Sequence, residues 1–296
     1  MAEITAKTDA KKKRRSNSQG ADIWRRLVHN KKAVGAMIVL GFLLFLVIFA
    51  NVLIPYGNAV DINPSAIKEW PSAEHWFGTD HYGRDIFARV IYGARITLLI
   101  GFGATAISAV IGTAIGTTSA YLGGRADSVI TRILDTWMAV PSLLITLALI
   151  AGIGRGLPQT IAALAVGGIP GFARTLRAAA LGVVNQDYME AVVALGASRK
   201  RAVFKHVVPN VMSQVLIQAT SSVSGNILLG ATLSFLGLGA QPPAPEWGYM
   251  LSEGLDNYQF YSYMVDIPGL AIAITALAIN ILGDALRDAL DPRLKK

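Results

Sequence analysis

The sequence predicts an all-α integral membrane protein with six transmembrane helices and both termini in the cytoplasm. Of its 296 residues, 53% are hydrophobic and only 16% are charged, which leaves too little polar surface for a water-soluble globule of this length. Long apolar segments recur along the chain. Most of the Lys and Arg residues lie between alternate segments, which indicates the cytoplasmic side of a bilayer.

The first 32 residues form a basic tail whose densest run is Lys11-Lys12-Lys13-Arg14-Arg15. Nucleic-acid binding is one interpretation of such a run, and a charged flank to a membrane span is the other. The segment 33–54 that follows is uncharged and long enough to cross about 30 Å of hydrocarbon as a helix. We therefore expect a cytoplasmic tail beside the lipid bilayer and no nucleic-acid partner.

Apolar segments and the polar stretches between them divide the rest of the chain. Residues 33–94 contain the first transmembrane helix and an ordered outer loop, with a short helix expected near 85–91. A five-helix core follows over 95–285, and 286–296 form a C-terminal tail in the cytoplasm. The five predicted core spans are 96–122, 129–153, 157–180, 207–239 and 267–283. Gly112-x-x-x-Gly116 in the first of these predicts close packing against another helix.

A contact segment, residues 186–209, lies between the fourth and fifth predicted spans. Helix-favouring residues continue to Leu195, Gly196 can adopt the left-handed conformation that ends a helix, and Ser198 can cap a second helix. Pro209 leads into the next span. The distribution of basic residues places this helix, turn and helix in the cytoplasm.

Several polar residues lie inside the predicted spans. Those of the fifth span can either bond to neighbouring helices or line a water-filled passage, and both functions are compatible with one helix. The pathway candidates are Gln214, Gln218, Ser221, Ser222, Asn226 and, in the third span, Asp135. Asp135 is a possible ion-coupled group, but we favour a structural ion pair with Arg132, Arg174 or Arg177.

The chain lacks the residues of common catalytic and metal sites. It has no cysteine, no Gly-x-x-x-x-Gly-Lys sequence for nucleotide phosphates and no His-Glu-x-x-His, and no serine has an evident base. His75, Asp80 and His81 lack the spacing typical of metal ligands. We therefore expect neither an enzyme nor a cofactor-binding or metal-binding protein.

The contact segment resembles the EAA loop of ABC-importer permeases, which docks on an ATPase subunit. Glu190-Ala191-Val192, Gly196 and the run His206–Asn210 carry this resemblance, with Val192 and Val208 as small apolar departures from the pattern. The residues that it implies for ATPase coupling are Glu190, Ala191, Val192, Ala194, Leu195, Gly196 and Pro209.

Other stretches, in the same order along the chain, resemble the second, C-type permease subunit of dipeptide, oligopeptide and nickel importers. They are 75–87, 92–95, 135–144, 234–248 and 283–292. The resemblance implies a type I ABC-importer fold, a homologous second permease, two ATPase subunits that hold ATP and Mg, and an external solute-binding protein. Peptides are the expected substrate, with nickel or another small solute as the alternative. An ion-coupled transporter or channel that uses Asp135 is the competing class.

Overall fold

A computed structural model describes residues 19–290 of the chain, and this part is helical. A 3-10 turn lies at Pro64–Ala66 and a π-helical turn at Ala202–Val207. The α-helices are α1 (Gln19–His29), α2 (Lys31–Leu53), α3 (Gly57–Val60), α4 (Ile86–Leu122), α5 (Gly124–Met138), α6 (Ser142–Ile153), α7 (Leu157–Val184), α8 (Asp187–Ala194), α9 (Arg199–Arg201), α10 (Val208–Asn210), α11 (Met212–Phe235), α12 (Trp247–Leu255) and α13 (Tyr263–Leu290).

The core of the bundle is built around α4, which packs most extensively on α7 and also contacts α11. Gly112 and Gly116 lie against the backbone of α7, so closely that a Cβ atom at either position would collide with Phe172 or Ala173. The predicted close-packing face is therefore confirmed. Glycine is required there because it allows the two helix backbones to approach each other.

Within residues 19–290, three helices, α2, α4 and α13, are each long and apolar enough to cross a bilayer. The pair α5 and α6 would add a fourth crossing if the two helices form one bent span. Helices α7 and α11 have 28 and 24 residues, but they are not among the helices that are apolar enough by the same criterion. A membrane-spanning helical protein is thus supported, while the number of six spans and the side of each terminus stay predictions.

The third span, 129–153, was predicted as one segment, but it does not form one continuous helix. The chain forms α5 and α6 instead, whose axes meet at 84° across the break at 139–141. Pro141 has an extended ψ of 132°. Proline has no amide hydrogen and disfavours a helical conformation in the residue before it, so the helix ends there.

The expected short helix near 85–91 and the second span, 96–122, prove to be a single helix, α4. Asp85 caps it, since its carboxylate accepts a hydrogen bond from the amide of Ala88 at 2.8 Å. The mixed composition of the stretch before residue 95, which includes Gly93, had indicated a loop. Burial of this part of α4 against α12 and α13 outweighs that local preference, because Ile86, Ala94 and Leu98 are core residues.

Four buried charges join the outer loop to the start of α4 and to α12. Glu253 accepts hydrogen bonds from Arg84 at 2.8 Å and from Arg89 at 2.5 Å. Asp80 accepts one from Arg84 at 2.7 Å and lies 3.3 Å from Arg89. Their side chains are at most 12% exposed. We call these four residues the ion cluster; its two positive and two negative charges compensate one another in a site from which water is largely excluded.

A second buried carboxylate, that of Glu246, lies at the N-terminus of α12. Its carboxylate accepts hydrogen bonds from the hydroxyl of Thr97 and the amide of Tyr249, both at 2.9 Å. Burial raises the pKa of Glu246, and these hydrogen bonds act in the opposite direction. The loop between α11 and α12 is thereby fastened to α4.

Candidate functional site

The contact segment forms the helix, turn and helix that its sequence predicts. Helix α8 ends at Ala194, and Gly196 has a φ of +79°, the left-handed conformation that glycine adopts without strain. The hydroxyl of Ser198 accepts a hydrogen bond from the amide of Arg201 at 3.4 Å and so caps α9. The local prediction for these three positions is confirmed.

One face of α8 is anchored and the opposite face is free. Met189 is buried, with 3% of its surface exposed, while Glu190, Ala191 and Ala194 are exposed. Leu195 has 88% of its surface exposed, an unusual state for a leucine at the end of an ordered helix. This geometry presents a small, mostly apolar surface outward from the bundle.

The anchor of α8 is a core cluster below it. Met189 packs with Phe172 and Leu176 of α7 and with Ala202 and Val207 of the π-helical turn. Val192 lies at the edge of the same cluster. A force applied to α8 would therefore reach α7 through packed side chains rather than through a flexible linker.

Pro209 lies at the opposite end of the segment from the exposed part of α8. It occupies the first turn of α10, where its missing amide hydrogen costs no hydrogen bond. Asn210 beside it donates a hydrogen bond to the hydroxyl of Tyr188 at 3.2 Å, which ties α10 to the start of α8. Pro209 is itself exposed, and its function in coupling stays a prediction.

A groove of about 840 Å³ runs between α8 and the turn that joins α4 to α5. Glu190, Val193 and Ala194 line it on one side, and Gly124 and Arg125 line it on the other. The groove is open to solvent, and Arg199 lies at its edge. The outward face of α8 therefore continues into a concave surface of mixed apolar and basic character.

Asp135 lies on α5 close to the break and forms an exposed ion pair with Arg174 at 3.6 Å. Their side chains are 50% and 65% exposed, respectively. Of the three partners considered for Asp135, Arg174 is the one that the structure brings to it. Arg177 pairs instead with Asp127 at 2.5 Å, and Asp127 also accepts a hydrogen bond from Ser119.

The polar residues of α11 divide into two groups. Gln214 and Ser221 are exposed and Gln218 and Ser222 are partly exposed, so these four form a polar stripe on the surface of the chain. Asn226 is buried and donates a hydrogen bond to Thr105 of α4 at 2.9 Å. Asn226 therefore contacts a neighbouring helix, whereas the stripe has no such contact with α4.

Residues 19–290 contain no group of three His, Asp or Glu side chains placed to hold a metal ion. His75 forms a hydrogen bond with Asp85 at 2.8 Å instead, and burial lowers the pKa of His81. Both histidines thus belong to the packing of the outer loop.

The sequence match to known proteins agrees with this geometry. Residues 108–296 match the family described as the binding-protein-dependent transport system inner membrane component. The chain belongs to this family. Residues 18–71 also match the N-terminal transmembrane domain of oligopeptide transport permease C, which is the C-type subunit named by the resemblance.

The similarity to curated relatives covers nearly the whole permease. The dipeptide transport system permease protein DppC of Alkalihalophilus pseudofirmus is 39% identical over 93% of this chain and 90% of its own length. The di/tripeptide permease DppC of Pseudomonas aeruginosa is 40% identical over 93% of this chain and 92% of its own length. The glutathione transport permease GsiD of Pectobacterium atrosepticum is 38% identical over 93% of this chain and 91% of its own length.

Among solved structures, the inward-facing MetNI methionine ABC transporter has a chain with the same fold. It matches 69% of this permease and 97% of its own length, with a TM-score of 0.54 and 21% identity. The protein is therefore a multi-pass inner-membrane permease subunit of an ABC transporter, with the type I importer fold. It is not an enzyme, and ATP hydrolysis belongs to partner subunits of the transporter.

Proposed function

We propose that this permease forms half of the pathway for di- or oligopeptides in an ATP-driven importer, and that residues 190–196 transmit movement from an ATPase subunit. The observation that carries the proposal is the anchored and exposed geometry of α8. Its buried Met189 connects it to α7, while Leu195 extends outward with 88% of its surface free. Such a surface is suited to a partner that must push or pull on the bundle.

Each residue of this surface has a distinct function in the proposal. Ala191 and Ala194 allow close approach of the ATPase, and Leu195 enters an apolar pocket on it. Glu190 provides a charge-assisted contact. Gly196 permits the turn that exposes Leu195, because its φ of +79° costs other residues about 1–2 kcal/mol. The nucleotide and Mg would be bound by the ATPase subunits.

The polar stripe of α11 supports the assignment of a pathway. Gln214, Gln218, Ser221 and Ser222 expose donors and acceptors on a helix of a membrane protein, where lipid contact would leave them unsatisfied. Facing a homologous second permease across an aqueous passage, they could bind the peptide backbone. Asn226 is not part of this surface, because it bonds to Thr105.

Peptides are the proposed cargo because relatives named for dipeptides, di/tripeptides and glutathione resemble the permease over most of its length. All three names describe short peptides or a peptide-like molecule. An external solute-binding protein would deliver the cargo at the outer loop. Nickel or another small solute is the alternative cargo in this family.

Cysteine crosslinking tests the coupling surface, and the natural absence of cysteine makes it specific to the introduced site. In the assembled transporter, Leu195→Cys and Ala191→Cys should form crosslinks to an ATPase subunit. Met189→Cys is the control on the same helix, since its side chain is buried and should not react. Absence of a Leu195 crosslink in a complex that contains both subunits would refute the proposal.

Uptake into proteoliposomes that contain the binding protein tests the transport mechanism. Import should require ATP on the side of the ATPase subunits and should stop with vanadate. It should continue when the proton and sodium gradients are dissipated. Gradient-driven uptake without ATP would instead establish the ion-coupled class of transporter.

A further inference from the structure

Helix α1 has two faces of opposite character. In its eleven residues, Ile23, Trp24, Leu27 and Val28 fall on one side of the helix at the spacing of an amphipathic pattern. Asp22, Arg25, Arg26 and His29 fall on the other side. A helix that is divided in this way is stable only if its apolar side is covered.

Half of the apolar side is covered by the protein. Leu27 is buried, and Ile23 packs beside it against Ala285 and Ala289 of α13 and Ala33 of α2. Asn30 then separates α1 from α2, since it has an extended backbone and its side chain caps α2 by accepting hydrogen bonds from Lys32 and Ala33. The chain therefore changes direction where a membrane-crossing helix starts.

The position of α1 relative to the bilayer follows from α13. With 28 residues α13 is about 42 Å long, which exceeds the roughly 30 Å of hydrocarbon in a bilayer. Ala285 and Ala289, on which α1 packs, lie in its last two turns. Helix α1 therefore packs at the ends of two spanning helices, and α13 is long enough for this end to reach the level of the lipid headgroups.

The other half of the apolar side is exposed. Within residues 19–290, Trp24 has 61% of its surface exposed and Val28 has 45%. Tryptophan is favoured at the level of lipid headgroups, where its ring is apolar and its N–H can reach water. Exposed apolar residues of α2, such as Ile38 and Phe42, continue into the hydrocarbon from the same end.

The charges around α1 are complementary to anionic lipid. Arg25, Arg26, Lys31 and Lys32 lie on or beside the helix, and none of them forms an ion pair inside the described range 19–290. Five further basic residues follow one another at 11–15 in the preceding sequence. A cluster of basic residues next to a spanning helix attracts phosphatidylglycerol-type headgroups.

We propose that α1 is an interfacial helix that binds anionic phospholipid headgroups through Arg25, Arg26, Lys31 and Lys32, with Trp24 and Val28 inserted at the edge of the hydrocarbon. Because α1 also packs on α13 and α2, this binding fastens the ends of both spans to the membrane surface. The surface is separate from α8 and does not depend on the coupling proposal.

Spin-label accessibility in the complete transporter tests the insertion. A nitroxide at Val28→Cys should collide mainly with oxygen, which dissolves in hydrocarbon, and little with a water-soluble nickel chelate. Asp22→Cys on the opposite face is the matched control and should show the reverse preference. The unsubstituted chain, which has no cysteine, gives the labelling background from the partner subunits.

Two results of this measurement would overturn the proposal. Nickel accessibility at position 28 equal to that at position 22 would place the face in water. Shielding of position 28 from both oxygen and nickel would show that a protein subunit covers it.

Lipid composition tests the headgroup contact. In vesicles with about one-third phosphatidylglycerol, the label at position 28 should lie deeper than in pure phosphatidylcholine. Neutralising Arg25, Arg26, Lys31 and Lys32 together to Gln should abolish this shift, whereas Lys68→Gln, in the outer loop, should not. A shift that persists in the neutralised variant would refute anionic-lipid binding by these four residues.

Discussion

The two ends of α4 illustrate opposite uses of charge. This helix has 37 residues and is about 55 Å long, with the ion cluster at its start and the groove of the coupling surface at its end. At the start, Arg89 is 1% exposed and paired with two carboxylates. Toward the other end, both side chains of the Asp135–Arg174 pair are at least half exposed, and Leu195 has 88% of its surface exposed.

This difference separates a fixed end from an end that binds partners. The ion cluster unites residues that are up to 169 positions apart, and removal of one charge would leave others uncompensated away from water. Changes to the outward face of α8 remove contacts with water or with partners, so they should affect transport more than stability.

The largest effect is expected from Glu253→Gln. Arg84 and Arg89 would then share Asp80 alone, and loss of one partner from a buried ion pair costs about 3–5 kcal/mol. The midpoint of thermal unfolding of the detergent-solubilised transporter should fall by roughly 10 °C. Glu74→Gln, an exposed carboxylate of the same loop, is the control and should change it little. Equal midpoints for the two variants would show that the cluster does not fix this end.

A smaller change in stability, but a complete loss of function, is expected from Gly196→Val. Valine at a φ of +79° is strained by about 1–2 kcal/mol, and the turn that exposes Leu195 would be distorted. The variant should accumulate in the membrane while peptide import stops. Gly182→Val is the control, because Gly182 is exposed, has an ordinary φ and has open space for a side chain. Normal import by Gly196→Val would contradict the coupling proposal.

The smallest effect is expected from Asp135→Asn. An exposed ion pair contributes at most about 1 kcal/mol, so both stability and ATP-driven import should remain close to normal. Asp127→Asn provides the comparison, since that carboxylate binds both Arg177 and Ser119 and should be more sensitive. If Asp135→Asn stopped import in an assembled complex that still hydrolysed ATP, Asp135 would have a direct function in transport.

Local sequence was a good guide wherever the structure depends on neighbouring residues. The left-handed Gly196, the cap at Ser198 and the close packing of Gly112 and Gly116 could all be predicted. Pro141 is evident in the sequence, but the prediction placed it inside a span rather than at a break between two helices. Local pattern does not distinguish a kink that a bundle tolerates from an 84° change of direction.

Long-range pairing could not be predicted in the same way. The sequence places all four members of the ion cluster in polar stretches between the predicted spans, and nothing in it indicates that they pair. Burial of α12 against α4 brings Glu253 to Arg84 and Arg89. Likewise, helical spacing puts Gln214, Gln218 and Ser221 or Ser222 on one face of the fifth span, but only the structure shows that Asn226 bonds to Thr105 instead of lining the surface.

The sequence by itself determined that the chain is a helical membrane protein of the binding-protein-dependent permease family, because apolar length, charge distribution and local motifs act over short distances. Only the tertiary structure decided which face of α8 is free, which charges are buried and which half of α1 is uncovered. Those properties arise from contacts between helices that lie far apart in the chain, and their free energy depends on the neighbours that exclude water.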